Sequence, residues 1–271
     1  MSEGIYLHGY SEWEQERLLQ QNDILAKYIY QRIDLHGKKR VLEVGCGVGA
    51  QMIYMLNKYP DLHITGLELE EKQLEKAAIN LRSSGIPENR YKLIQGNATK
   101  TGWETPRDFD AVIMIWVLEH IPNCEAVLRE LKRVLASNTE IWITEVYHQG
   151  FATYPSMPAI SDFWQKMIQF QTQTGGDANI GLRLGQLLHF SGIHAEWVSP
   201  FPMFFDARNP DAKNEMFMYW KDLMYSSIES MEKNGQSVSG QWNQVQDELN
   251  QLLEDPKSVF YYSFIQAKAL I

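Results

Sequence analysis

The run Val41-Leu42-Glu43-Val44-Gly45-Cys46-Gly47-Val48-Gly49 is followed, nineteen residues after Gly49, by Glu68. Glycines at a strand end let backbone approach a ligand with no Cβ in the way, and open α/β sheets bind ligands at the carboxyl ends of their central strands. An acid closing the next strand can accept hydrogen bonds from both hydroxyls of a ribose. Together these residues point to an adenosine-containing ligand. Two other readings stay open: glycines that serve close packing alone, and a G-x-G-x-x-G fingerprint that seats a dinucleotide pyrophosphate on a helix N-terminus. Against the second, the glycines here run G-C-G-V-G-A, and Glu43 would set a negative charge two positions before Gly45.

The elements around these residues alternate. A Ser11-Glu14 capping box opens a helix reaching about Arg32. Apolar runs predict strands over 41–44, 63–67, 91–95, 111–115 and 140–144. Periodic patterns predict helices over 51–59, stopped by Pro60, over 70–84, closed by Gly85, and over 122–135. Strands alternating with helices imply a parallel sheet covered on both faces. Beyond Tyr147 the alternation lapses into a stretch rich in Phe, Trp, Met and Gly. A helix over 180–191, a strand over 195–198, helices over 211–233 and 241–253, and a last strand over 259–266 follow. That final strand, rich in Phe, Tyr and Ile, is expected back in the sheet, with the helices forming a cap.

The glycine turn is the first of four ordered motifs through which the chain resembles the class I S-adenosylmethionine (SAM)-dependent methyltransferases. Their first motif has the form E/D-x-G-x-G-x-G. The likeness continues in Ile64-Thr65-Gly66-Leu67-Glu68, in Gln95-Gly96-Asn97-Ala98-Thr99, and from Phe109-Asp110-Ala111-Val112 to Val117-Leu118-Glu119-His120-Ile121-Pro122, covering about Lys39 to Glu145. It implies a doubly wound α/β fold with a seven-stranded, mostly parallel, Rossmann-like sheet and a helical cap. The implied organisation is a cofactor-covering helix over 1–38, a SAM-binding core over 39–148, cap insertions over 149–257 with a core strand near 195–198, and the final strand over 258–271.

The resemblance also implies site roles. Glu43, Gly45, Cys46, Gly47 and Gln51 should lie around the methionine and ribose portions of SAM, with Glu68 on the ribose hydroxyls and Leu69 on the adenine. Asn97 and Ala98 stand where the family usually has Asp-Ala, so the Asn97 amide oxygen would receive the adenine amino group without a charge. Backbone at Ile115 and Trp116 should face the methionine amino group. Tyr10 to Leu18 fits a Y-x-x-x-E-x-x-R-L segment found in a subset of these enzymes, as does the pattern around Gly175-Gly176-Asp177 and Ile180 to Leu184, which makes Tyr10 and Arg17 candidates for the methionine end. An arginine fork matches a carboxylate.

Methyl transfer from a sulfonium is an in-line displacement in which the protein aligns a nucleophile and excludes water. If the acceptor must lose a proton, a base helps, and Glu145, Tyr147 and His148 after the fifth strand, or His120 after the fourth, are the candidates. The aromatic and methionine residues between Phe151 and Phe205 would line an apolar pocket or form the core beneath the cap.

At 271 residues, with 44% apolar and 12% aromatic content, the chain has the material for one full domain and its insertions. Its net charge of −9 offers no basic field for nucleic acid or an anionic membrane surface, so the expected partner is a small-molecule methyl acceptor. No H-E-x-x-H or paired C-x-x-C occurs, so no metal is expected. Two isolated cysteines and the lack of a leader-like start in Met1 to Tyr10 predict a cytoplasmic protein. A SAM-binding protein without turnover and a protein or RNA methyltransferase are the alternatives.

Overall fold

The computed structural model describes residues 7–104 and 107–271; the first part of the leader reading lies outside them. Helix α1 (Glu12–Ile29) comes first. The Ser11 hydroxyl accepts from the Glu14 N–H at 3.1 Å, but both Glu14 carboxylate oxygens turn to Arg17, so only one arm of the capping box forms. Strands β1 (Arg40–Val44), β2 (His63–Glu68), β3 (Tyr91–Gln95), β4 (Ala111–Ile115) and β5 (Glu140–Glu145) then pair in parallel in the order β3-β2-β1-β4-β5.

Helices α2 (Ala50–Lys58), α3 (Glu71–Ser83) and α4 (Cys124–Val134) make crossovers. Both faces of the sheet are buried: Ala111 and Ile113 face the core shared with α1, α2 and the cap, and Val112 and Met114 face α4. That two-sided burial is why these strands read as unbroken apolar runs.

The second half departs more from expectation. Three residues, Ala152–Tyr154, form an additional strand β6, which brings the sheet to eight strands. The aromatic stretch that shows no alternation contains helix α5 (Pro158–Gln173), followed by α6 (Leu184–Phe190). The strand expected over 195–198 runs over His194–Phe205 as β7. Helices α7 (Pro210–Lys233) and α8 (Ser239–Glu254) lead to the last strand, β8 (Val259–Leu270).

β8 lies antiparallel to β5 and β6 along one edge and to β7 along the other. Phe260, on the part of β8 beyond β5, meets Trp220 and Phe217 of α7 at ring separations of 4.8 and 5.5 Å. Each such buried aromatic contributes about 1.5–3 kcal/mol. α1 is tied to this assembly by Tyr219, whose hydroxyl donates to Gln21 Oε1 at 2.7 Å, and by Gln266, whose amide donates to the Ile29 carbonyl at 2.8 Å. Among the described residues no helix is long and apolar enough to cross a membrane.

Candidate active site

A cavity of about 1320 Å³ opens over the carboxyl ends of β1, β2 and β4, roofed by α1 and α7. Its floor is the turn after β1. Gly45 has φ of 69°, and a Cβ there would sit 2.7 Å from a Val117 methyl, so both the backbone and its neighbour require glycine. Gly47 also has positive φ (49°), yet among the described residues no atom beyond its own chain neighbours lies within 4 Å of where its Cβ would be: it lines the cavity.

Glu68 closes β2 beside that space. Its Oε2 accepts from the Gly47 N–H at 2.9 Å and its Oε1 from the Leu69 and Glu70 N–H groups at 2.8 and 3.1 Å. A carboxylate has about four acceptor positions, so one remains after these three bonds. Across the cavity, the chain leaves β4 through Trp116, whose φ of 55° is strained for a bulky residue by about 1–2 kcal/mol.

Fourteen of the residues expected at the site line this one cavity: Tyr10, Arg17, Gly45, Cys46, Gly47, Gln51, Glu68, Leu69, Asn97, Ala98, Ile115, Trp116, His120 and His148. Cys46 is buried there, and burial together with Glu43 and Glu68 pushes its thiol up, which leaves it a small inert side chain. The Asn97 amide oxygen accepts from both the Thr99 N–H (2.8 Å) and its hydroxyl (2.7 Å), so its lone pairs are committed and only the NH₂ remains to meet a ligand. The expected adenine amino contact therefore does not fit this oxygen.

The remaining three lie off the cavity wall. Glu43 is buried in β1 with Oε2 unpartnered, and burial, reinforced by Glu68, raises its pKa well above the usual range.

Glu145, at the end of β5, is fully buried; its Oε1 accepts from the Val117 and Leu118 N–H groups at 3.1 and 2.7 Å and so holds the loop after β4. Burial, then the nearby Glu119, raises its pKa to about 8. A carboxyl engaged in this way is placed to position the loop, not to touch an acceptor. Tyr147 packs its ring over Gly150 and donates its N–H to the Tyr262 hydroxyl at 3.4 Å.

Arg17 and His148, both expected at the site, share the cavity wall with Glu119, which the sequence does not single out. Arg17 is held in a buried fork to Glu14 at 2.7 and 2.6 Å and donates to Gln21 at 2.9 Å. Glu119, inside the V-L-E-H-I-P motif, is 5% exposed and accepts from Gln171 Nε2 at 2.7 Å. His148 stands with Nε2 3.8 Å from Glu119 Oε2 and Nδ1 3.2 Å from the Tyr262 hydroxyl, and burial lowers its pKa to about 4, so it is neutral near pH 7. The Gly175-Gly176-Asp177 segment braces this wall. The Asp177 N–H donates to the Glu119 carbonyl at 2.8 Å, the His148 N–H donates to the Ala178 carbonyl at 2.9 Å, and a Gly176 Cβ would sit 2.6 Å from the Glu119 carbonyl. Among the described residues no cluster of ligating side chains suits a metal ion.

A family model described as a methyltransferase domain matches residues 35–191, more than half of the chain. The chain belongs to that family. Curated relatives include the sterol 24-C-methyltransferase ERG6B of Gibberella zeae, 34% identical over 108 residues covering 40% of this chain and 28% of the relative. A ubiquinone biosynthesis O-methyltransferase of Dechloromonas aromatica is 31% identical over 123 residues, covering 45% of this chain and 50% of the relative. This methyltransferase domain thus spans half or less of these relatives' lengths.

Among solved structures, a methyltransferase of Bacillus halodurans superposes with a TM-score of 0.57 at 20% identity, over 91% of this chain and 97% of that one. The [4+2]-cyclase SpnF superposes at 0.55 and 18% identity, over 92% and 80%. These likenesses show the methyltransferase fold with its flanking helices.

Proposed function

We propose that the chain binds SAM and transfers its methyl group to a small-molecule acceptor. The observation that carries this is Glu68: a carboxylate fixed by three backbone N–H groups, with one acceptor position left, beside the open space over Gly47. A ribose fits there, because the glycine leaves room and the acid receives its hydroxyls. The cofactor supplies a methyl carbon on a sulfonium, which a nucleophile takes as the carbon–sulfur bond breaks and its electron pair stays on sulfur.

The chain's own residues do the rest. Glu68 holds the sugar, Leu69 covers the base, and the Asn97 NH₂ donates to it. Tyr10 and Arg17, on the 1–38 segment, close the methionine end over the 39–148 core, and α7 and β8 of the remaining segments enclose the acceptor. Excluding water and aligning the reactants can supply about 7–11 kcal/mol of barrier lowering with no covalent catalysis. The domain-family membership supports the reading. So does the acidic charge, which disfavours nucleic acid, and the two buried free cysteines fit a cytoplasmic setting.

The test is to offer SAM carrying a labelled methyl group to the protein with a cell extract and to separate small molecules from polymers. Label should enter the small-molecule fraction and be absent with Glu68→Ala. Label in protein or RNA, or none at all while SAM is bound, would replace the proposal by one of the two alternatives.

A further inference from the structure

The acceptor end of the cavity has an uneven charge balance. The Glu119 carboxylate lines the cavity while nearly buried, and its hydrogen-bond donor is the neutral Gln171 amide. Among the described residues no lysine or arginine comes within 4 Å of it; the charged or chargeable neighbours at that range are His120 at 3.6 Å and His148 at 3.8 Å. His148 is neutral, and the one guanidinium that the described residues bring to the cavity wall, that of Arg17, is forked to Glu14. A buried carboxylate with no permanent counter-charge is costly unless a ligand supplies one.

Beside Glu119 runs a continuous aromatic wall. His148 meets Tyr262 with ring centroids 6.1 Å apart, Tyr262 meets Trp220 at 4.7 Å, and Trp220 meets Tyr219 at 5.4 Å, and all four side chains line the cavity. Ring faces attract cations, and the indole face does so best. An anionic acceptor would meet Glu119 with repulsion; a neutral one would leave it uncompensated.

We infer that the acceptor is an amine that arrives protonated, with its ammonium against Glu119 and its apolar body along Tyr262, Trp220 and Tyr219. The inference rests on the methyl-transfer reading of the same cavity. Glu119 then has a second task. An ammonium has no lone pair, so one N–H bond must break before the nitrogen can attack; the proton passes to the Glu119 carboxylate and the bonding pair remains on nitrogen as the nucleophile. His120, 3.6 Å from that carboxylate and partly exposed, can relay the proton outward.

The test compares three probes with the same aromatic body, benzyltrimethylammonium, benzyl alcohol and phenylacetate, each titrated by tryptophan fluorescence into protein saturated with S-adenosylhomocysteine (SAH). The cation should bind roughly tenfold or more tightly than either of the others. Glu119→Gln should remove that preference while SAH binding, followed by calorimetry, and the circular dichroism spectrum stay as in the wild type. Trp220→Leu should weaken the cation alone, which keeps the claim testable if the Gln variant folds poorly. Equal or tighter binding of the alcohol or the carboxylate, no cation binding, or an unchanged preference in Glu119→Gln would overturn the inference. A wild type that fails to bind SAH would instead overturn the methyl-transfer reading beneath it.

Discussion

At one end of the cavity the wall is largely main chain, and at the other it is side chains. The end we assign to the nucleotide is made of the Gly45–Gly49 turn, the N–H groups of Gly47, Leu69 and Glu70 gathered on Glu68, and the backbone leaving β4 at Trp116, all drawn from neighbouring parallel strands. The other end, which we assign to the acceptor, draws Glu119, His148, Tyr219 and Tyr262 from the loops after β4 and β5, α7 and β8. A main-chain site specifies one ligand shape and tolerates few residues. A side-chain site can be rebuilt residue by residue while the first is untouched. The two ends should therefore respond separately to substitution.

The largest effect is expected where the nucleotide end leaves no room. Gly45→Val forces a branched residue into a left-handed backbone and onto Val117, which should cost about 3 kcal/mol or more of stability by urea denaturation. SAH binding should become undetectable with it. Glu68→Ala leaves the fold but removes the sugar's acceptor, and SAH affinity by equilibrium dialysis should fall about a hundredfold, the scale of one or two charge-assisted bonds. A Glu68→Ala protein that binds SAH as the wild type does would break the comparison, since side chains at the other end would then be carrying the cofactor.

The third prediction concerns the joint between the two ends. Glu145 holds the β4 loop, and its pKa is raised from 4.5 unfolded to about 8 folded. A raised acid contributes stability that is complete below about pH 4.5 and is lost as pH rises through about 8. The stability of the wild type relative to Glu145→Gln should accordingly decline across that window, by a few kcal/mol at most, in denaturant titrations at stepped pH. His148 has the opposite sign: with its pKa lowered from 6.5 to about 4, its contribution is present above 6.5 and lost as pH falls through 4. The smallest effect is expected from Tyr262→Phe, which removes a hydroxyl that touches both His148 and the Tyr147 N–H. It should cost about 1 kcal/mol and leave SAH affinity unchanged.

The same contrast explains what the sequence reveals. The nucleotide end is readable because its parts are local: a glycine spacing, an acid at a strand end, and strands buried on both faces. β7 reads as four residues because Pro200 and Pro202 look like strand breakers, whereas β7 pairs along one edge only, where a missing N–H is tolerated. α5 was legible in principle. Pro158 at its start and the buried stripe of Ile160, Phe163, Trp164, Met167 and Gln171 have helical spacing, but the density of Trp and Phe hides it. β6, three residues long, is too short for any periodicity.

Elsewhere on the cavity wall the local signal is thinner, and His120 and His148 are legible only as candidate bases after strands. The fork from Glu14 to Arg17 lies within one helix turn, and the E-x-x-R spacing is visible. That Tyr219, Gln171 and Tyr262 converge on Arg17's helix and on Glu119 follows only from how α5, α7 and β8 pack. Glu145 shows the reverse limit. Its position after β5 suggests a base, and only burial and two backbone donors reveal a loop anchor.

Calorimetric titration of the wild-type protein, in parallel, with SAH and with NAD bears most directly on the claim that the glycine turn and Glu68 together form a SAM site. Saturable binding of SAH in the micromolar range with no heat from NAD is the predicted result. Saturable binding of the dinucleotide with none of SAH would contradict it.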